Sequence, residues 1–192
     1  MLTRWQCILA VVVMVVVVAA PLVYSSHQHN HLRNFRVVDE GVLYRSGQLS
    51  PDGMERVLHD YRINTVVSLR PVPQPGDKSP DDWEEQVCAA HSIKFVRIPP
   101  QVWGADETGE IPADEAVKKF LKVMENKANH PVLVHCFAGI HRTGTMCAIY
   151  RMEFQGWSCE RAMAEMQMNG FDPEDMHEHI EGYLRSYRPK KR

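Results

Sequence analysis

The stretch His135-Cys136-Phe137-Ala138-Gly139-Ile140-His141-Arg142-Thr143-Gly144 decides how the rest of the chain is read. It follows residues 131–135, a short apolar run that reads as a buried strand, and it leads into a helix. In a parallel sheet, a turn of this kind between strand and helix is where ligands sit. Five residues separate Cys136 from Arg142, enough for the backbone to curl into a cup with successive N–H groups pointing inward. The helix N-terminus beneath adds partial positive charge, so the cup suits a tetrahedral oxyanion. Arg142 at its rim can grip two oxygens at once, a geometry that lysine does not reproduce. The same field favours the thiolate, and Cys136 is therefore expected to act as a nucleophile.

Working outward, residues 35–38 and 42–44 flank Asp39-Glu40-Gly41, which reads as strand, turn and strand. Ser50 is a good helix cap with Pro51 at the first helical position, and Met54, Val57, Leu58 and Tyr61 repeat at helical spacing. Residues 65–69 read as a buried strand. Residues 71–80 hold four prolines and a glycine, so no regular element crosses them. A helix is expected from about Asp82 to His91, a strand over 94–98, an irregular stretch over 99–112, and an amphipathic helix over 113–128. Beyond the cysteine, Gly156 stops one helix, Ser158 caps the next, Asn169-Gly170 ends it, and Asp172-Pro173 opens the last. Strands alternating with helices predict an α/β fold whose sheet is largely parallel in its core.

A thiolate attacking a bound phosphate ester yields a covalent phosphocysteine. Two tasks then remain: protonating the departing oxygen and activating the water that hydrolyses the intermediate. One carboxylic acid on a nearby loop can do both. Residues 99–112 carry Asp106, Glu107 and Glu110, of which Asp106 is the first choice. Thr143 is placed to hydrogen-bond the sulfur, Gly139 permits close approach of the backbone to the phosphate, and His135 is expected to orient the loop.

The pattern H-C-x-x-G-x-x-R-T-G resembles the signature of the cysteine-dependent protein tyrosine phosphatase superfamily, and the chain is similar to its dual-specificity branch. Tyr44-Arg45-Ser46-Gly47-Gln48, Thr65-Val66-Val67-Ser68-Leu69-Arg70, and Tyr150-Arg151 with Gly156-Trp157-Ser158 extend the likeness to the small atypical dual-specificity phosphatases of bacteria, plants and fungi. It covers residues 35–187. The resemblance implies a three-layer α/β domain with a central, largely parallel sheet flanked by helices, and neither metal nor organic cofactor. It also implies Cys136 as nucleophile and Asp106, 30 residues earlier, as general acid. Arg142 and the loop amides of Phe137, Ala138, Gly139, Ile140 and His141 would bind the phosphate. There is a departure: the W-P-D-type sequence is absent, and Pro99-Pro100-Gln101-Val102-Trp103-Gly104 stands ahead of the first acid. His141, just before the arginine, is the rival proton donor.

The expected substrate is a phosphoprotein, phosphotyrosine and also phosphoserine or phosphothreonine. Phe137, Ala138 and Ile140 are uncharged where phosphatases of polyphosphoinositides and inositol pyrophosphates tend to place lysines, which argues against highly charged substrates. One alternative keeps the fold but acts on a phosphoinositide or inositol phosphate; another is an inactive pseudophosphatase that binds a phospho-ligand. Arg45 and Arg70, ending early strands, read first as buried structural partners of acids, with a place on the rim of the site as the alternative. Cys147 and Cys159 read as small core residues on helices, with Cys88 a less favoured partner for an oxidised Cys136.

The 192 residues suffice for one domain, and 22 Lys+Arg against 24 Asp+Glu give a net charge of −2 and no reason to expect nucleic-acid binding. Five cysteines without a C-x-x-C pair argue against a disulfide framework. Residues 8–23 are an unbroken apolar run with Trp5 and Tyr24 at its ends. The run is expected to be a single-pass membrane anchor within residues 1–25, holding a catalytic domain on the cytoplasmic side, with a cleaved signal for export as the rival. A polar His-rich linker over 26–34, a phosphatase domain over 35–188 and a basic tail over 189–192 complete the division.

Overall fold

The computed structural model describes residues 4–72, 79–172 and 178–190. Strands β1 (Arg36–Asp39), β2 (Leu43–Ser46), β3 (Thr65–Ser68), β4 (Lys94–Arg97) and β5 (Val132–His135) form one sheet in the order β1-β2-β5-β3-β4. β1 pairs antiparallel with β2, and every other pairing is parallel. β2, β3 and β5 are buried along their whole length, as strands covered on both faces must be, with Val-Val in β3 and Val-Leu-Val in β5.

The helices are α1 (Arg4–His31), α2 (Pro51–Asp60), α3 (Asp82–Ala90), α4 (Ala113–Glu125), α5 (His141–Gln155), α6 (Cys159–Met168) and α7 (Glu178–Ser186). Side chains on a strand alternate between faces, and the sequence uses that alternation. Leu43, Val67, Val132 and Val134 pack with Phe120, Met146, Ile149, Met163 and Leu184 from α4 to α7. Tyr44, Val66 and Leu133 face the other way, onto Met54, Val57, Leu58 and Cys88 from α2 and α3. Each large core side chain so buried contributes about 1.5–3 kcal/mol. The result is the three-layer arrangement expected.

The caps fall where the sequence puts them. Ser50 accepts from Gly53 N at 3.1 Å, Ser158 from Arg161 N at 3.3 Å, and Gly156 ends α5 in the left-handed region at φ 66°. One end differs from expectation. α4 stops at Glu125 because the Asn126 side chain accepts from Ala128 N at 3.0 Å and starts a 3-10 turn, the competition with helical bonding typical of asparagine. Asp81 makes no cap at α3; its buried carboxylate instead bonds Ser68, Ser79 and, at 3.1 Å, Arg97, tying β3 to β4. The expected helix opening at Asp172-Pro173 falls partly outside the described residues, as do most of the 71–80 loop and the end of the basic tail.

The membrane anchor is overturned. Among the described residues no helix is long and apolar enough to cross a membrane. α1 takes in the apolar run, but the run is sixteen residues, which at 1.5 Å each gives about 24 Å against a hydrocarbon core of about 30 Å. Pro21 lies inside the helix, and its last turns are polar, continuing through Ser25, Ser26 and His27 to His31. The placement of the catalytic domain on an anchored cytoplasmic face and the membrane as a partner both rested on a spanning segment and fall with it.

Candidate active site

Parallel register aligns the ends of three strands. Ser46, His135 and Ser68 share one row, so the segments leaving β2, β5 and β3 emerge together on one edge of the sheet. Cys136 follows β5 directly, and the loop 136–140 runs into α5 at His141. Gly139 adopts φ +76°, a conformation that side chains resist, and this lets the loop close back on the sulfur. Its N–H donates to Cys136 Sγ at 3.2 Å.

What turns the loop into a cup is the anchoring of its carbonyls. Gln48 N donates to Phe137 O at 2.9 Å, Asn34 Nδ2 to Ala138 O at 2.9 Å, and Arg45 Nη2 to Gly139 O at 2.6 Å. Leu69 N holds His135 O at 2.8 Å from the other side. With successive carbonyls drawn outward into the protein, the alternate groups of the same peptides are left for the cleft. Gly47 is required for this fit: a Cβ there would stand 2.8 Å from Ala138 O and 2.9 Å from Phe137 O. Arg45 is thus a buried side chain bonded to the loop itself, where a carboxylate partner was one expectation. Asn34 carried no signal in the sequence, since its target lies about a hundred residues away; Gln48 was marked only by the resemblance of the 44–48 stretch.

The cleft above the cup measures about 540 Å³. Cys136, Phe137, Ala138, His141 and Arg142 line it from the loop and helix, and Pro100 to Trp103 from the opposite wall. Arg142 is half-buried, with Nη1 3.5 Å from Leu69 O. His141 faces the cleft and packs edge-on to Phe171, ring centres 5.8 Å apart. Beneath the cup, buried His135 places Nε2 3.0 Å from Oε2 of buried Glu84, at an angle off the hydrogen-bonding direction. Glu84 is a site neighbour that sequence reasoning missed; it sits in the first turn of α3, where an acid ordinarily serves the helix dipole.

Two expected contacts are not made. Thr143 is fully buried, and among the described residues its hydroxyl has no hydrogen-bond partner; the sulfur takes its donor from Gly139. Asp106 is exposed and is not among the residues lining the cleft. Its Oδ1 accepts from Thr108 Oγ1 at 2.6 Å, Thr108 N at 2.8 Å and Glu110 N at 3.0 Å, closing a tight turn. The Thr108 hydroxyl, and after it the backbone N–H groups, hold this carboxyl below the usual carboxylate range. In that turn it is a carboxylate and an acceptor.

Comparisons with known proteins find a matching family and several relatives. A family model described as "DSP-PTPase phosphatase fused to NAD+ Kinase" matches residues 16–181. The chain is 46% identical over 144 residues to the dual specificity protein phosphatase TpbA of Pseudomonas aeruginosa, covering 75% of this chain and 58% of that protein. It is 34% identical over 138 residues to the inositol diphosphatase DSP1 of Oryza sativa subsp. japonica, covering 70% of this chain and 55% of that one. Among solved structures, TpbA superposes with a TM-score of 0.61 at 26% identity, over 81% of this chain and 85% of that one. The catalytic domain of the PP-IP phosphatase Siw14 from S. cerevisiae gives 0.63 at 23% identity, over 82% and 87%, a likeness of fold.

Proposed function

Because the chain belongs to the DSP-PTPase phosphatase family, we propose that it hydrolyses phosphate monoesters through a phosphocysteine formed on Cys136, with phosphotyrosine proteins as its first substrates and phosphoserine or phosphothreonine proteins after them. The observation that carries the reading is the thiol at the foot of the cup, with Gly139 N–H on its sulfur at 3.2 Å and Arg142 beside it in one cleft. Residues 35–188 form the catalytic domain in this reading.

Cys136 Sγ attacks phosphorus as the ester P–O bond breaks, and the leaving oxygen takes a proton from the general acid. Water then attacks the phosphocysteine, giving its proton back to the same group, and the P–S bond breaks to release inorganic phosphate. The amides of residues 137–142 and the Arg142 guanidinium hold the equatorial oxygens as charge redistributes. Asp106 serves as the acid after the 106–110 turn opens and carries it to the cleft. His141, already lining the cleft, is the second candidate for that proton.

The substrate assignment draws support from TpbA, solved in complex with pTyr. The chain spans little more than half the length of the curated relatives TpbA and DSP1, at 58% and 55%. A second reading, hydrolysis of an inositol phosphate or phosphoinositide, draws support from the relative named as an inositol diphosphatase. The test is hydrolysis of para-nitrophenyl phosphate and a phosphotyrosine peptide by the full chain in reductant, beside Cys136→Ser, Asp106→Asn and His141→Gln. Turnover is expected to vanish in Cys136→Ser and to fall about 10²-fold in Asp106→Asn on poor leaving groups. Intact turnover in Asp106→Asn with loss in His141→Gln moves the acid to His141. Folded wild-type protein that binds the peptide without turnover is a pseudophosphatase.

A further inference from the structure

The cup's own side chains are uncharged at Phe137, Ala138 and Ile140, yet the fold brings two more cations onto the Phe137 ring. Arg33 Cζ lies 4.3 Å from the centre of the Phe137 ring, and Arg70 Cζ lies 5.0 Å from it. Both positions are set by backbone. Arg33 O accepts from Gly47 N at 2.7 Å, and its neighbour Asn34 is bonded to Ala138 O. Arg70 follows Leu69, whose N–H is bonded to His135 O and whose carbonyl accepts from Arg142.

The two guanidiniums share one aromatic ring, and among the described residues neither has a carboxylate partner. Arg97, Arg151 and Arg185 are each ion-paired, and the positive charge of Arg33 and Arg70 has no such compensation among the described residues. Arg70 Nε is also buried with no hydrogen-bond partner among the described residues. Phe137 itself is 51% exposed and lines the cleft. Two unneutralised cations held on one ring beside a phosphate cup repel each other and together attract a second negative group.

We propose that Arg33 and Arg70, stacked on Phe137, form a second anion subsite that selects phosphopeptides bearing a carboxylate or a second phosphate on a residue next to the phosphorylated one. The inference rests on the phosphatase reading above and names the specificity of that same cleft. A planar guanidinium takes either group bidentately, which is why arginine suits the position.

The test compares kcat/KM of the full chain on three phosphotyrosine peptides that differ only at the flanking residue: Asp, phosphoserine or Asn. Wild-type enzyme is expected to prefer the Asp and phosphoserine peptides over the Asn peptide by about tenfold at low salt, the scale of charge-assisted hydrogen bonds. Raising ionic strength should shrink that ratio. In Arg33→Gln and Arg70→Gln the ratio should drop severalfold, and in the double variant approach one, with partial recovery in the Lys variants. A ratio is blind to the fraction of enzyme that is active, so imperfect folding does not imitate this result. Wild type with no preference at low salt, or a preference untouched in the double variant, overturns the proposal. Failure of wild type to turn over para-nitrophenyl phosphate defeats the phosphatase reading instead, so the two failures are distinguishable.

Discussion

Gly47→Ala should cost more in catalysis than its distance from the chemistry suggests. The new Cβ would lie 2.8 Å from Ala138 O, 2.9 Å from Phe137 O and 3.0 Å from Ala138 C. A carbon facing a carbonyl oxygen settles at about 3.3 Å or more, so the loop must retreat by about half an ångström. All three obstructing atoms are backbone of the cup, and no flexible side chain is available to give way. Reacting groups must be held within about 0.5 Å, and 1 Å of misplacement costs about 10²-fold, so kcat/KM should fall about tenfold, or about 1.4 kcal/mol of barrier. Crowding of this kind costs about 1–3 kcal/mol of stability, lowering Tm by about 2–12 °C at this chain length. Gly41→Ala is the control. Gly41 has φ +73° with nothing within 4 Å of the methyl group that alanine would add, so the variant suffers backbone strain of about 1–2 kcal/mol far from the cleft. Its Tm should drop by about 2–8 °C with kcat/KM unchanged. Steady-state kinetics on para-nitrophenyl phosphate and thermal melts of both variants decide the matter. A Gly47→Ala enzyme with wild-type kcat/KM, or a Gly41→Ala enzyme equally impaired, would refute the argument that close approach at Gly47 shapes the cup.

Thr108→Val should raise the Asp106 carboxyl pKa, because the Thr108 hydroxyl is the largest cause holding it down. A depressed carboxyl pKa supports the folded turn above the unfolded value and loses that support as pH falls through the folded value. The variant's Asp106 carboxyl carbon should therefore titrate at higher pH by NMR; an unchanged midpoint would show that the backbone N–H groups suffice. Cys88 is pushed up to about 12, first by burial and then by the negative charge of Glu84, Glu85 and Glu55. Its contribution is intact below the unfolded thiol value of about 8.5 and is lost as pH climbs toward the folded value. Tm should consequently decline through the alkaline range, and less steeply in Cys88→Ala; parallel pH profiles for the two proteins would contradict this.

The sequence was a sound guide wherever the deciding interactions are local. Ser50 and Ser158 cap their helices through bonds three residues ahead, and Gly156 ends α5 by its own conformation. Asn126 shows the limit: the periodicity of α4 runs on past it, but a side-chain bond two residues ahead ends the helix. Asp106 has suitable spacing from Cys136, yet its immediate neighbours Thr108 and Glu110 bind the carboxylate into a turn outside the cleft. The apolar run of α1 was legible as apolar, while its length told against a span.

Cys136, Gly139 and Arg142 lie within seven residues, so strand, turn and helix propensities alone bring them to one cup, and the sequence by itself determined the chemistry expected there. The alternation of apolar residues likewise specified a sheet covered on both faces. Only the tertiary structure decided what holds and surrounds the cup. Arg45, Gly47 and Arg70 reach it because β2 and β3 pair with β5 in a common register and end on the same edge, and Arg33 and Asn34 reach it because β1 pairs antiparallel with β2 and begins at that edge. Those contacts span up to about a hundred residues, and no local pattern encodes them. They depend on which strands become neighbours, and that choice is made by burial of the whole sheet between its two helical layers.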